Sequence, residues 1–350
     1  MEENVRPIRV LVAEDSAVVA RVLVDVLTTD PDIEVVGVAC DGVEAVAMAK
    51  SLKPDLITMD VRMPKMDGLV ATRRIMEETP TPIVVVSASV NVQDLNITFE
   101  SLRAGALEII EKPKGIGQKD YEAMRGKLIR AIKTMSEVKV VRRMSEARLR
   151  RRTRLPKAVL RGGEKGPVVL IGSSTGGPAA LEKIFSRLPE KFPAPVLVVQ
   201  HIAPGFVAGL AEWLGQESGL HVKIAAGGEE PQPATAYLAP DGYHMVVDQN
   251  GLISLDDGPP EKGHKPSIDR LFTAAARTWG SRCVGALLTG MGKDGVAGLA
   301  EVKRAGGLAF AQDEMSAVIY GMPKEAVAAG VVDKVLPLQD IAAEIVSLTS

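Results

Sequence analysis

The sequence predicts two doubly wound, mostly parallel α/β domains, the second of which carries a β-hairpin insertion. Its 350 residues are enough for two domains that each bury a core. Both halves alternate short, continuously apolar runs with segments of helical spacing, a pattern typical of parallel strands that are buried on both faces. A strongly basic stretch without an apolar run lies between the halves and indicates a linker.

The first half contains five runs that we predict to be strands of one sheet. Segments such as Val18–Leu27 and Val43–Leu52 lie between the runs and have the spacing of helices. The ligand site of a doubly wound sheet lies beyond the carboxyl ends of its strands. The five predicted strands are Ile8–Ala13, Ile33–Val38, Leu56–Met59, Ile83–Val86 and Leu107–Ile110.

The basic stretch separates the two predicted domains, which we place at residues 7–135 and 164–350 with a linker at 136–163. From Lys139 to Arg161 there are ten Lys or Arg residues, one acid (Glu146) and no aromatic residue. This composition favours a solvated linker or an interdomain contact, although a basic tract can also dock a nucleic acid or an acidic partner. A DNA-binding output through Arg150–Arg152 is an alternative, but no helix-turn-helix pattern follows the linker.

The second half resumes the alternation and adds a hairpin. Tyr243–Asp248 and Leu252–Asp256 flank Asn250-Gly251, a pair that tolerates the positive φ of a tight hairpin turn. The remaining strands of this half are predicted at Val168–Ile171, Val196–Gln200, Val222–Ala226, Val284–Thr289 and Leu308–Ala311.

Composition and charge exclude several classes of protein. A net charge of -2 gives no general reason to expect binding to nucleic acid or to an anionic membrane. The sequence contains no run of about 18 apolar residues, so we expect no membrane insertion. Because Met1–Asn4 lacks the basic and apolar order of a secretory signal, we expect a cytoplasmic protein. The distant Cys40 and Cys283 are expected to be buried free thiols.

Polar side chains with complementary chemistry follow the strands of the first domain. Glu14 and Asp15 follow the first strand and Asp60 the third, so three carboxylates converge and favour a hard cation such as Mg²⁺. Ser87 and Lys112 end the fourth and fifth strands, where a hydroxyl and an ammonium suit a phosphoryl oxygen. Asp60 could then act as the nucleophile towards a phosphodonor.

The first strand of the second domain runs into a glycine-rich turn, Gly172–Gly177, that precedes a helix. Gly172-x-Ser174-x-Gly176 fits a nucleophile elbow with Ser174 at its tip. A phosphate cradle would need a glycine at position 174, and a Walker loop would need a Gly-Lys-Ser/Thr ending. A nucleotide-binding output domain that uses this loop is the remaining alternative.

Two further strand ends supply partners for Ser174. His201 follows the second strand of this domain, and Asp294 lies in the loop after the predicted strand Val284–Thr289. Ser, His and Asp on one rim permit base-activated attack on a carbonyl, with the acid fixing the imidazole tautomer. N–H groups near Thr175 and Met291 could form an oxyanion hole. His221 and His244 are interpreted as structural, whereas His264, which precedes a helix start, could line a substrate cleft.

The first domain resembles the receiver domains of two-component response regulators. The resemblance rests on the acidic cluster, Lys112 and the pairs Met63-Pro64 and Asp67-Gly68. It implies a flavodoxin-like fold and phosphorylation of Asp60 by a histidine kinase, with Ser87 and Lys112 sensing the phosphoryl group. The implied Mg²⁺ ligands are Glu14, Asp15, Asp60 and the backbone carbonyl of Arg62. Receivers often have an aromatic residue three positions before this lysine, where this chain has Ile109.

The whole chain resembles the chemotaxis protein-glutamate methylesterases. The second-domain motifs are Gly172–Gly177, Gln200-His201 with Pro204–Phe206, Pro266–Asp269 and Leu288–Gly295. By this resemblance Ser174 is the nucleophile, His201 the base and Asp294 the orienting acid, on a Rossmann-like domain without a cofactor of its own. The implied substrates are glutamyl γ-methyl esters, and some glutamines, of chemoreceptors. A monomer is expected, in which the unphosphorylated receiver obstructs Ser174.

Overall fold

The computed structural model describes residues 6–87, 92–113, 121–138, 140 and 166–349. The chain divides into two compact units, Met1–Arg152 and Thr153–Ser350. Most of that linker, including Arg150–Arg152, lies outside the described residues, so the predicted domain limits stay a prediction. Among the described residues, no helix is long and apolar enough to cross a bilayer.

The first unit is a parallel five-stranded sheet in the order β2-β1-β3-β4-β5, as a flavodoxin-like fold requires. All five predicted strands are present, within one residue at each end. The core of the sheet is continuously apolar because helices cover both faces; Val10, Leu11 and Val12 of β1 are fully buried. The elements are β1 Ile8–Ala13, α1 Ala17–Leu27, β2 Ile33–Ala39, α2 Gly42–Leu52, β3 Leu56–Met59, α3 Gly68–Glu78, β4 Ile83–Ser87, α4 Val92–Ala104, β5 Glu108–Glu111 and α5 Tyr121–Ser136.

The second unit is a parallel seven-stranded sheet in the order β14-β13-β12-β6-β7-β9-β8. From β6 the chain builds outwards on one side through β7 and later returns to add β12 on the other, so the order reverses between β6 and β12. This reversal is where open α/β sheets place their ligands. The elements are β6 Val168–Ser173, α6 Gly177–Phe185, β7 Val196–Gln200, α7 Val207–Glu217, β8 His221–Ile224, β9 Thr235–Leu238, β10 His244–Val247, β11 Ile253–Asp256, α8 Ile268–Trp279, β12 Cys283–Leu287, α9 Val296–Arg304, β13 Leu308–Gln312, α10 Met322–Ala328, β14 Lys334–Leu336 and α11 Leu338–Thr349.

The predicted hairpin is present as a separate antiparallel pair, β10 and β11, outside the main sheet. Gly251 takes the positive φ of the turn, at 85°. Met245, Val247 and Ile253 bury the inner face of the pair in the core that contains α8. The fold class predicted from the sequence is therefore confirmed for both units.

Two strands and one cysteine differ from the sequence-based expectations. The sequence analysis missed β9 and β14, which have only four and three residues. Cys283 is buried as expected, but Cys40 is exposed. It directly follows β2, an edge strand, and its N–H and Sγ both lie within hydrogen-bonding distance of the Glu44 carboxylate, at 3.0 and 3.1 Å. The expectation of a buried thiol was therefore wrong for Cys40.

Candidate active sites at the carboxyl ends of the two sheets

The first candidate site is an acidic pocket formed where β1 and β3 end. Carboxylate oxygens of Glu14, Asp15 and Asp60 lie within 4.8 Å of one another. Glu14 and Asp60 are almost fully buried, whereas Asp15 is exposed. From the end of β5, the Nζ of Lys112 lies 2.8 Å from Glu14 Oε2 and 2.8 Å from Asp60 Oδ2.

The charges of this pocket are not balanced. Burial raises the pKa of Asp60, and the hydrogen bond from Lys112 only partly offsets that effect. Burial likewise raises the pKa of Glu14, with a further contribution from the Asp60 charge and opposition from Lys112. Burial lowers the pKa of Lys112, but its two carboxylate partners outweigh burial and raise the pKa above the ordinary value. In the part of the chain that the structure describes, one ammonium thus pairs with two buried carboxylates, and this charge balance favours the binding of a further cation.

Backbone packing fixes Asp60 in this pocket. Its Oδ1 accepts from the N–H of Val61 at 2.7 Å. The start of α3 lies so close that a Cβ on Gly68 would be 1.9 Å from the carbonyl oxygen of Asp60. Asp67 caps the same helix by accepting from Val70 N–H, at 2.8 Å. The Asp67-Gly68 pair therefore holds a helix start against the candidate phosphoacceptor.

Ser87 and Arg62 lie at or shortly after the predicted strand ends, but neither is among the residues of the carboxylate and ammonium cluster described above. Ser87 ends β4 and is buried, and its carbonyl accepts from the N–H of Lys112 at 2.9 Å. Its hydroxyl lies 3.2 Å from the Thr98 hydroxyl on α4. Arg62, two residues after Asp60, has an exposed side chain. The structure thus brings Glu14, Asp15, Asp60 and Lys112 together directly, while the Ser87 hydroxyl faces α4.

The second candidate site is organised around Asp294, which is 2% exposed. Its carboxylate accepts from the Ser267 hydroxyl at 2.9 Å and from Ile268 N–H at 2.8 Å, both at the start of α8. Asp269 and Gly295 each donate a backbone N–H at 3.1 Å. Burial raises the pKa of Asp294, but the hydrogen bond with His201 and these N–H groups outweigh it and hold the pKa well below its usual range.

His201 uses one ring nitrogen for Asp294 and keeps the other available. Its Nε2 lies 3.0 Å from Asp294 Oδ2, so a neutral ring carries its proton there. Among the described residues, the buried Nδ1 has no hydrogen-bond partner. The imidazole of His264 stacks on the ring, with centroids 4.0 Å apart and planes inclined by 4°. The His201 ring is therefore held at one edge and on one face.

Ser174 directly follows β6, and both neighbouring strand ends hold its backbone. Its N–H donates to the carbonyl of Thr289 at 3.0 Å, and the preceding Ser173 carbonyl accepts from His201 N–H at 2.9 Å. A Cβ on Gly290 would lie 2.6 Å from the Cβ of Ser174, so the two loops are in contact. Since His201 Nδ1 has no partner among the described residues, Ser174 Oγ is not hydrogen-bonded to it in this state. Apo active sites often show such loose geometry.

The predicted oxyanion residues are each one position away in the chain from Ser174 or from Gly290, which contacts it. Thr175 is half-buried, and its carbonyl accepts from the Thr289 hydroxyl at 2.9 Å. Met291 follows Gly290 and is 42% exposed, so it lies on the open side of the loop. His244 is buried, with Nδ1 accepting from Ser267 N–H at 3.1 Å, whereas His221 is exposed on β8.

Several polar residues of the site were missed as site residues by the sequence analysis: Gln200, Ser267, Thr289 and Gln312. Ser267 supports Asp294, and Gln312 accepts from Thr289 N–H at 2.8 Å. Their common signal is a buried polar side chain at the end of an apolar strand or at a helix cap. Water does not reach such positions, so each polar group needs a partner within the protein.

Comparison with known proteins matches each of the two units to a family. Residues 10–118 match the family of response regulator receiver domains, and residues 169–345 match the CheB methylesterase family. A protein-glutamate methylesterase/protein-glutamine glutaminase of Nitrosospira multiformis is 47% identical, over 98% of this chain and 97% of its own length. A Myxococcus xanthus protein of the same description is 46% identical over 97% of each chain.

A solved structure resembles the second unit. The catalytic domain of the Thermotoga maritima CheB methylesterase is 42% identical and superposes with a TM-score of 0.51, covering 53% of this chain and 99% of that domain.

Proposed function

This chain belongs to the CheB methylesterase family, and we propose that it is a protein-glutamate methylesterase and glutaminase whose activity is controlled through a receiver domain. The observation that carries the proposal is the His201–Asp294 pair, held 3.0 Å apart at the same sheet edge as Ser174. The substrates we propose are γ-methyl esters of glutamate, and some glutamines, in the cytoplasmic part of chemoreceptors. The relatives' names support both reactions.

We propose that ester hydrolysis proceeds through an acyl-enzyme on Ser174. His201 Nδ1 accepts the hydroxyl proton while Oγ attacks the γ-carbonyl, and the negative charge moves to the carbonyl oxygen. Backbone N–H groups of Thr175 and Met291 would stabilise that oxyanion. The imidazolium returns its proton to the departing oxygen, so methanol leaves as the C–O bond breaks. Water, deprotonated by the same ring, then releases the glutamate and restores Ser174.

Asp294 prepares this proton transfer. Because it stays ionised and bonds Nε2, it fixes the tautomer in which Nδ1 is the free base. It also compensates the positive charge that forms on the ring. Deamidation uses the same steps, with the proton delivered to nitrogen and ammonia as the leaving group.

The receiver residues suit a phosphorylation switch. Glu14, Asp15 and Asp60 form an all-oxygen set of the kind that Mg²⁺ prefers. Burial is the main cause of the raised pKa of Glu14 and of Asp60, and a bound cation would oppose that effect by favouring the charged carboxylates. We propose that these residues and the carbonyl of Arg62 hold Mg²⁺, which would neutralise charge on the transferring phosphoryl group. Asp60 would accept that group from a histidine kinase, and Lys112, with Ser87, would then contact it.

Phosphorylation is proposed to increase access to Ser174 by a population shift between two domain arrangements. We further propose a cytoplasmic monomer with no nucleic-acid partner. The near-neutral net charge of -2 supports the last of these points.

The test is methanol release from methylated receptor by the full chain, with and without Mg²⁺ and a small phosphodonor. Wild-type protein should be active and should respond to the phosphodonor. Ser174→Ala should lose at least about 10⁴-fold in kcat while Asp60 is still phosphorylated. Retained turnover in Ser174→Ala would exclude this nucleophile, and an unchanged rate on phosphorylation would exclude the switch.

A further inference from the structure

The side chain of Gln200 spans the gap between the strand end that carries Ser174 and the strand end that carries His201. Gln200 is the last residue of β7 and is 6% exposed. Its Oε1 accepts from the Ser173 hydroxyl at 2.5 Å. Its Nε2 donates to the carbonyl oxygens of Ser174 at 2.8 Å and His201 at 2.7 Å. Both N–H groups of the amide are therefore used.

The chemistry of the partners fixes the orientation of this amide. The carbonyl oxygens of Ser174 and His201 can only accept, so the NH₂ group must face them. The amide oxygen then faces Ser173, whose hydroxyl can donate. A flipped amide would set an oxygen against two carbonyl oxygens deep in the protein, at the cost of two hydrogen bonds.

Gln200 acts where the backbone pairing of β6 and β7 stops. Ser173 and Gln200 are the last residues in register, and the bond from His201 N–H to the Ser173 carbonyl is 2.9 Å long. Beyond it, Ser174 N–H points to the other neighbouring strand and donates to the carbonyl of Thr289, two residues after the end of β12. The Gln200 amide thus replaces the missing backbone hydrogen bond and connects Ser174 to the end of β7, which precedes His201.

Gly177, the first residue of α6, leaves space for the Gln200 amide. A Cβ on Gly177 would lie 1.9 Å from Gln200 Oε1. No side chain at position 177 is compatible with the amide in its present place. Glycine at 177 and glutamine at 200 therefore form a matched pair.

We infer that Gln200 is a positioning residue that sets the separation of the Ser174 hydroxyl and His201 Nδ1. The inference rests on the proposed function, in which these two groups exchange a proton. A misplacement of about 1 Å between reacting groups can cost on the order of 10²-fold in rate. Gln200 is buried beneath the two loops, so its loss should affect the chemical step rather than substrate binding.

The first experiment replaces the amide with an apolar chain of similar length in the full protein, activated with Mg²⁺ and phosphodonor. Gln200→Met should lower kcat by about 10- to 100-fold and change KM by less than about twofold. Gln216→Met, at an exposed glutamine on α7, is the matched control and should leave both constants unchanged. A normal kcat in Gln200→Met, or a raised KM at normal kcat, would overturn the inference. A wild-type chain without ester hydrolysis would instead refute the proposed function.

A second experiment tests the matched pair and does not depend on Gln200→Met folding. Gly177→Ala should lower kcat by displacing the amide. In a chain that carries Gln200→Ala, where no amide remains to be displaced, Gly177→Ala should cost little more, so the two losses are not additive. Thermal unfolding of each variant separates lost positioning from lost folding. Additive losses in the double variant would contradict the contact on which the inference depends.

Discussion

The two sites lie at equivalent edges of two parallel sheets, but the pKa values of their buried carboxylates are shifted in opposite directions. Glu14 and Asp60 share the single ammonium of Lys112, at 2.8 Å from each, and burial raises the pKa of both. Asp294 accepts five hydrogen bonds, and its pKa is held well below the usual range. Among the described residues, the first pocket thus has one ammonium for two buried carboxylates, whereas the buried carboxylate of the second site has a donor for each of its hydrogen bonds.

This difference in charge compensation fits the roles proposed for the two sites, which are regulation for the first and catalysis for the second. Binding of a cation stabilises an acidic pocket whose charges are not compensated. The stability and the protonation of such a pocket therefore depend on whether the cation is bound. A carboxylate saturated by backbone and side-chain donors has a fixed charge and orientation before any substrate arrives, as a preorganised catalytic group needs. Regulation and catalysis therefore use the same residue type with different numbers of donors.

The strongest test of the comparison is to remove the charge from the saturated carboxylate. Asp294→Asn should lower kcat by about 10⁴-fold, because the amide no longer holds His201 in the tautomer that leaves Nδ1 free. The measurement is methanol release together with thermal unfolding. Asp313→Asn, at a partly exposed acid after β13, is a control that should remain active. Activity within tenfold of wild type would show that this carboxylate does not orient the base.

The second test concerns the contact between His264 and the face of the His201 ring, rather than the hydrogen bond of Asp294 at the edge of that ring. His264→Ala should lower kcat by about tenfold, because the His201 ring loses the surface stacked at 4.0 Å. His264→Phe keeps a flat ring and should recover most of the activity. His221→Ala, at an exposed histidine of β8, is the control. If the Phe variant were as slow as the Ala variant, the imidazole itself and not its stacking would be required.

The smallest expected effect is on stability in the acidic pocket. Asp60→Asn should stabilise the receiver unit by about 1 kcal/mol at neutral pH, because it removes one of two crowded carboxylates. The folded pKa of Asp60 is raised, so the stability it supplies in its protonated form is lost as pH rises through that pKa. The gain in the variant should therefore be largest at neutral pH and shrink as pH falls through the raised pKa.

Calorimetry of the receiver transition at several pH values measures this gain. Mg²⁺ should stabilise wild type more than Asp60→Asn, since the variant has lost one charged ligand. Asp25→Asn, which removes a surface ion pair with Arg21, serves as the control. Destabilisation by Asp60→Asn at neutral pH would show that the pocket is already balanced by Lys112.

Much of the fold followed from local patterns. Continuous apolar runs located β1, β3 and β7 within one residue, because strands covered by helices on both faces need apolar side chains throughout. The same pattern could not locate β9 and β14, whose four and three residues are too short for a period to emerge. The expectation that Cys40 is buried came from the number and spacing of the cysteines, which carry no information on whether a residue lies beside an edge strand.

The sequence by itself determined which chemical groups stand at which strand ends, because the carboxyl ends of parallel strands meet at one edge whatever the side-chain details. It therefore placed Ser174, His201 and Asp294 on one rim and Asp60 and Lys112 on another. Only the tertiary structure decided that Nε2 of His201 faces Asp294, that His264 covers the ring and that the Gln200 amide joins the two loops. His201 and Asp294 are 93 positions apart in the chain. A hydrogen bond between them depends on the donor–acceptor distance to within a few tenths of an ångström and on the angle at the donor, and no local sequence pattern encodes either quantity.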